Sequence, residues 1–123
     1  MPRRAALLKA KQPIPAAVMA ELLIDTGASH TVLDSTVVQP LALTPSGAVD
    51  VSTPSTGSTP VRMLQYDVAL GIPIDSAVQS FDTVPITESD FSTQNIDGLL
   101  GRDLLSSAYF TMDGQSGLCT LAF

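Results

Sequence analysis

The stretch Leu22-Leu23-Ile24-Asp25-Thr26-Gly27-Ala28-Ser29 decides the fold, because in it an apolar run ends at an acidic residue. The apolar residues predict a short, buried strand. Gly27 gives the chain the freedom that a sharp turn needs, and Thr26 offers a hydroxyl group for hydrogen bonding. The pattern therefore predicts one carboxylate, that of Asp25, held where a buried strand turns.

A carboxylate in such a turn suits the attack of water on a peptide carbonyl, but that reaction uses two carboxyl groups. One takes a proton from the water and the other protonates the carbonyl oxygen. The remaining candidates do not repeat Asp-Thr-Gly: Asp82-Thr83-Val84, Asp97-Gly98-Leu99 and Asp113-Gly114-Gln115. Because a two-fold axis places identical residues opposite one another, the sequence predicts half a site per chain, completed in a homodimer.

A second segment, Ile96-Asp97-Gly98-Leu99-Leu100-Gly101-Arg102-Asp103-Leu104-Leu105, predicts a short strand and then one or two helical turns. It follows the Asp-Thr-Gly turn by about 75 residues. Together the two segments resemble the retropepsin family, the homodimeric aspartic peptidases of retroviruses and their bacterial and eukaryotic relatives. The resemblance runs from residue 18 to the end, and residues 117–123 look like the C-terminal strand that retroviral members contribute to their dimer interface.

The resemblance implies an all-β fold: a closed β-barrel that corresponds to half of an acid protease, with a flap hairpin and one short C-terminal helix. Alternating apolar and polar residues at 63–70 independently predict a strand. Nine prolines and eight glycines argue against a helical bundle. We expect the domain at residues 18–123, after a basic N-terminal arm at residues 1–17.

The resemblance also assigns roles to individual residues. Asp25 is the expected catalytic group, and Thr26, Gly27 and Ala28 are expected to support its loop, with Thr26 bracing the two loops across the dimer axis. The segment around residues 102–103 is expected to be structural and to lie near the dimer contact, through Arg102 and Asp103.

The expected substrate cleft combines apolar residues beside the turn with small or polar residues of the loops: Leu23, Ser29, His30, Val32, Gly57 and Leu99. The apolar members suggest hydrophobic residues flanking the scissile bond. Retroviral members often carry acidic residues directly after Asp-Thr-Gly-Ala, whereas this chain has Ser29 and His30.

Residues 49–61 are poor in large apolar side chains and rich in turn formers. By position this segment is the flap that family members close over a bound peptide, with Gly57 near its tip. Pro54 and Pro60 each remove a backbone donor, which predicts a stiffer or less regular flap. The alternative is an ordinary surface loop.

Charge is uneven along the chain. Residues 12–123 hold two basic against twelve acidic groups, a formal balance of −10. We therefore expect neither nucleic acid nor a membrane surface as a partner, and no apolar segment is long enough to span a bilayer. The expected partners are a peptide or protein substrate and a second copy of the chain.

The chain has one cysteine, Cys119, and one histidine, His30. A single cysteine excludes an intramolecular disulfide and suits a reducing compartment, so we expect a cytoplasmic protein in which Cys119 is a small buried hydrophobe. The alternative is a disulfide between two chains whose terminal strands pair closely. One cysteine and one histidine do not make the ligand set of a structural zinc site. The sequence therefore implies no metal and no other cofactor.

Two alternatives stay open. Residues 24–29 also resemble the first phosphate loop of actin-like and sugar-kinase-like ATPases, although that fold needs two large α/β lobes that 123 residues do not hold. In the other alternative, a retropepsin-like dimer binds an extended peptide by strand addition without cutting it. The intact Asp-Thr-Gly turn argues against this, because a binding domain has no need of two costly apposed carboxyls.

Overall fold

The computed structural model describes residues 17–52 and 59–123, and strands dominate both ranges. The strands are β1 (Leu22–Ile24), β2 (Val32–Asp34), β3 (Gly47–Val51), β4 (Val61–Ile74), β5 (Ala77–Ser89), β6 (Gly98–Leu100), β7 (Tyr109–Asp113) and β8 (Leu118–Ala122). The helical elements are α1 (Ser35–Val38), a 3-10 helix (Gln39–Leu41) and α2 (Arg102–Leu105). The all-β prediction is confirmed, with a sheet that curls into a half-barrel. Within the described ranges no helix has the length and apolarity needed to cross a membrane.

Six strands form one sheet in the order β1-β6-β2-β5-β4-β3, and β7 pairs with β8 in a separate sheet of two strands. The long β4–β5 hairpin is the largest element, and its residues alternate between core and solvent as predicted for a strand with one buried face. Tyr66 of β4 lies opposite Ile86 of β5, and Val68 lies opposite Val84. All four side chains are buried, so this hairpin forms one wall of the core.

Helix α1 follows β2 directly and was not predicted from the sequence. Asp34 caps its first turn, because one carboxylate oxygen of Asp34 accepts a hydrogen bond from the Thr36 backbone N–H at 3.0 Å. The turn buries Val37 and Val38 against the core. The predicted C-terminal helix is α2, which buries Leu104 in the same core.

Strand β6 brings the two sequence motifs together, because it lies between β1 and β2. It runs parallel to β1, with Leu22 opposite Gly98, and antiparallel to β2. Gly98 has φ 156°, and a Cβ atom there would lie 2.1 Å from the carbonyl oxygen of Val32. Only glycine fits this close approach. We call these three short strands, β1, β6 and β2, the platform.

The predicted flap segment lies on an antiparallel hairpin. Strands β3 and β4 stay paired out to Val51 and Val61, so residues 52–60 connect two hydrogen-bonded strands. Gly57, the expected tip residue, and Pro54 lie outside the described residues. The same holds for residues 1–16 of the expected N-terminal arm.

The C-terminal hairpin, β7 and β8, packs on the domain at one end only. Leu121 contacts the core, and the ring of Phe123 meets that of Phe81 edge-on at 5.6 Å. Gly117 closes the tight turn with φ 74° and donates its backbone N–H to the Asp113 carbonyl. Cys119 is exposed on β8, so the expectation of a buried cysteine is wrong for the single chain, in which no described strand or helix covers this part of the hairpin.

Candidate active site

Asp25 stands at the end of β1, where the strand turns. Its backbone N–H donates to the carbonyl of Leu100 at 3.0 Å and so extends the pairing of β1 with β6. The Gly27 backbone N–H donates to Oδ1 of Asp25 at 2.8 Å, and the Ala28 N–H donates to the Asp25 carbonyl at 3.2 Å. The carboxylate is half-buried and is held by the turn that follows it.

Gly27 leaves room for this arrangement. A Cβ atom at residue 27 would lie 3.2 Å from Oδ1 of Asp25, closer than nearly all side-chain contacts of this kind. Thr26 and Gly27 are themselves exposed, so the outer side of the turn is open in the single chain. The bracing of two loops by Thr26 across a dimer axis stays a prediction.

The second motif holds the far end of the turn. The Arg102 backbone N–H donates to the Ala28 carbonyl at 2.8 Å. A Cβ atom on Gly101 would lie 2.6 Å from the carbonyl carbon and oxygen of His30, so a larger residue at position 101 would push the two segments apart. The glycine in the second motif therefore serves the first motif.

Thr31, two residues after the first motif, is joined to Asp103 of the second motif by two hydrogen bonds. Thr31 is fully buried; its backbone N–H donates to Oδ2 of Asp103 at 3.0 Å, and its hydroxyl donates to Oδ1 at 2.8 Å. The Thr31 hydroxyl oxygen also accepts the Gly101 N–H at 3.2 Å, and Oδ1 of Asp103 accepts the Leu104 N–H at 2.9 Å. We call this pair the clamp; bonds to an ionised acceptor are among the stronger ones in proteins.

Sequence reasoning singled out Asp103 for a structural role but missed Thr31. The sequence did carry a signal: Thr31 directly precedes the apolar strand β2. A threonine hydroxyl that is buried there needs a hydrogen-bond partner. A short acidic residue in the neighbouring motif was available to provide it. When two motifs are expected to touch, a polar residue in or beside each of them is therefore a candidate for a hydrogen bond between them.

Three of the residues expected in the substrate cleft form one row across the platform. Leu23 lies opposite Leu99 across β1 and β6, and Val32 lies opposite Leu99 across β2 and β6. Their neighbours Leu33 and Leu100 are buried in the core, so the row lies on the other face of the platform. Leu23 is 53% exposed.

The row lies on the platform, whose strand β1 leads directly into Asp25, and gives that end of the sheet an apolar surface. Ser29 and His30 are exposed further along the loop. Gly57 lies outside the described residues, so the structure leaves the contribution of the flap tip as a prediction. The structure thus brings together the three expected cleft residues that lie on the platform strands.

Asp34 is a second well-held carboxylate, but it serves the fold. Its Oδ1 accepts the Phe91 backbone N–H at 2.6 Å, and its Oδ2 accepts both the hydroxyl and the backbone N–H of Thr36. The hydrogen bond from Phe91, followed by those from Thr36, holds the pKa of Asp34 below its usual value. Asp34 therefore stays ionised and fastens the β5–β6 connection to β2.

Metal chemistry finds no support in the side chains of residues 17–52 and 59–123. No group of three or more histidine, cysteine, aspartate or glutamate side chains is placed to hold a metal ion there. The ATPase alternative fails on the fold, since the described residues form a curled six-stranded sheet, a two-stranded sheet and short helices instead of α/β lobes.

Comparison with known families agrees with the site geometry. The family model described as aspartyl protease matches residues 17–104, a range that holds the Asp25 turn, the platform and the clamp. No curated protein matches the chain. Because the match covers more than two thirds of the 123 residues, this chain belongs to the aspartyl protease family, in its retropepsin-like group.

Proposed function

We propose that this protein is an aspartic endopeptidase that works as a homodimer, with water activated between Asp25 and the Asp25 of a second copy. Membership of the aspartyl protease family supports a protease-like function. The finer proposal rests on one observation: each chain presents a single half-buried carboxylate in an Asp-Thr-Gly turn whose outer side is open.

Two such carboxyls suffice for the reaction. With one proton between them, the ionised group takes a proton from water while the water oxygen attacks the peptide carbonyl carbon. The protonated group donates to the carbonyl oxygen, and the resulting tetrahedral intermediate collapses with proton transfer to the leaving nitrogen. The Gly27 N–H fixes Oδ1 of Asp25 at 2.8 Å, which leaves Oδ2 for water and for the partner carboxyl.

The C-terminal hairpin supports the dimeric part of the proposal. Tyr109 is 82% exposed, and Met112 and Leu118 are each 67% exposed. A two-stranded hairpin is marginally stable in water by itself, and its outer strand edges carry unpaired backbone groups. A second copy that covers these side chains would both stabilise the hairpin and supply the missing carboxyl.

The test compares the native protein with Asp25→Asn on a diverse peptide library at several pH values. The native protein should cut with a bell-shaped pH profile that peaks on the acidic side of neutrality, because two close carboxyls titrate in separate steps and the singly protonated pair is active. Rates are taken at saturating dimer concentration, so that pH effects on association do not enter. The amide variant should stay folded and dimeric but inactive, because the amide cannot act as the base.

Four outcomes contradict the proposal. Cleavage by Asp25→Asn would remove this residue from the mechanism. A profile that rises steadily through pH 8, or activity lost to a chelator instead of to a statine-type inhibitor, would indicate another chemistry. Peptide binding without cleavage by the native protein would favour the alternative of a silent binding domain.

A further inference from the structure

Arg102 and His30 stand out against the charge of the rest of the molecule. Residues 12–123 contain twelve acidic side chains and only two basic ones, Arg62 and Arg102. His30 is the only histidine in the chain. Of these three side chains, Arg102 lies in the second motif and His30 directly follows the first, so two of the three lie at the candidate active site.

Backbone contacts place the two residues side by side at the far end of the catalytic turn. The Arg102 N–H donates to the Ala28 carbonyl at 2.8 Å, and Gly101 approaches the His30 carbonyl so closely that a Cβ atom would collide with it. Ala28 is three residues from Asp25, a distance of at most roughly 11 Å along the chain. About three residues of an extended peptide span the same distance.

Neither side chain is engaged by another described residue. Both are exposed, and the described residues supply no hydrogen bond or ion pair to the Arg102 guanidinium or the His30 ring. The carboxylate nearest in sequence, Asp103, is occupied, since its two oxygens accept from Thr31 and Leu104. Within the described part of the single chain, Arg102 thus carries an exposed positive charge without an ion pair, and His30 presents a second exposed side chain from the adjoining backbone.

We propose that Arg102 and His30 form a donor rim that binds the carboxylate of an aspartate or glutamate side chain in the substrate, within about three residues of the scissile bond. The proposal rests on the proposed peptidase function. It means that the apolar row of the platform selects the residues next to the cut, while the donor rim selects an acidic residue further out. Arg102 then determines specificity and leaves the bond-breaking step itself unchanged.

The test uses pairs of peptides that are cut by the native protein and differ by glutamate against glutamine at one position. We expect kcat/KM to favour glutamate about five- to tenfold at one position, and the preference to fall when salt screens the charge. Arg102→Gln should bring the ratio close to one, while Arg102→Lys should keep part of it. Ser76→Asp, in the exposed β4–β5 turn, changes the net charge by the same amount as Arg102→Gln and should leave the ratio unchanged.

Binding of the same peptide pairs to Asp25→Asn, followed by fluorescence anisotropy, gives a readout that does not depend on cleavage. If the native protein cuts nothing but Asp25→Asn prefers the glutamate peptide in an Arg102-dependent way, the proposed function fails and the donor rim stands. If peptides are cut or bound with equal preference for glutamate and glutamine, the donor rim is wrong. The same holds if Arg102→Gln weakens dimerisation and leaves the ratio intact, because a partner carboxylate then occupies Arg102.

Discussion

The Asp25 turn and the C-terminal hairpin differ in where their partners lie. The turn finds its partners inside the chain: Leu100 and Arg102 hold its backbone, and the buried clamp of Thr31 and Asp103 fixes its end. The hairpin is anchored at one end and leaves Met112 and Leu118 largely exposed. Both segments are short and both contain polar turns. Local secondary-structure propensity therefore does not explain why one is held by the rest of the chain and the other is largely exposed.

This difference separates two parts of the proposed site. Residues of the same chain supply the hydrogen bonds that hold the Asp25 turn: the Gly27 N–H holds the carboxylate, and Leu100 and Arg102 hold the backbone. In the proposed dimer, a second copy of the chain supplies both the second carboxylate and the cover of the hairpin. Stability of the turn and formation of the dimer should therefore respond to different substitutions.

The largest effect is expected from charge on the hairpin. Met112→Asp combined with Leu118→Asp should abolish the dimer and lower specific activity about a hundredfold or more at micromolar protein, since two apolar side chains worth about 1.5–3 kcal/mol each are lost in both copies. Sedimentation measures the dimer, and circular dichroism checks that the chain stays folded. Ser76→Asp serves as the control. A double variant that sediments as the native dimer would place the interface elsewhere.

An intermediate effect is expected from the clamp. Thr31→Val removes the hydroxyl and leaves the Gly101 N–H and one oxygen of Asp103 without this partner, which should lower the free energy of unfolding by about 2–3 kcal/mol. Urea denaturation at one fixed protein concentration measures the change. Thr83→Val, at an exposed position of β5, should stay within about 0.5 kcal/mol of the native protein. Equal stability of the two variants would show that the clamp does not hold the turn.

The smallest effect is expected on the Tm difference between the native protein and Asp34→Asn as the pH is lowered. Because the folded-state pKa of Asp34 lies below the ordinary aspartate value of 3.8, its ionised form contributes stability that is present above that value and is lost as pH falls through the folded pKa. Asp34→Asn should have a lower Tm than the native protein near neutral pH, and the gap should narrow as the pH drops below 3.8. Asp67→Asn, at an exposed position of β4, is the control. A gap that stays constant down to pH 2 would contradict the assigned role of Asp34.

The same comparison shows what the sequence could predict. The apolar runs before Asp25 and around Leu99 predicted two strands, and the family resemblance predicted that they belong to one site. The alternation at 63–70 predicted β4, because half-buried strands repeat every two residues. These features depend on patterns of apolar and polar residues that can be read directly from the sequence.

The features that the sequence did not reveal depend on a single helix N-cap, on one tight turn, or on whether another part of the molecule covers a surface. Helix α1 has four residues and gains its stability from the Asp34 cap and from burial of Val37 and Val38, which propensity alone does not reveal. Strand β7 exists because the turn at Gly117 folds it onto β8. Cys119 is exposed on a hairpin that contacts the core through Leu121, near its other end, and composition does not report this.

Mixing the native protein with Asp25→Asn tests the central claim, a site shared between two chains, most directly. When partners exchange freely and the variant is in ninefold excess, only about one native chain in ten meets another native chain, so activity per native chain should fall about tenfold. The triple variant that also carries Met112→Asp and Leu118→Asp should not inhibit, because it does not pair. Unchanged activity per native chain in the presence of excess Asp25→Asn, with exchange verified by sedimentation of labelled chains, would contradict the shared site.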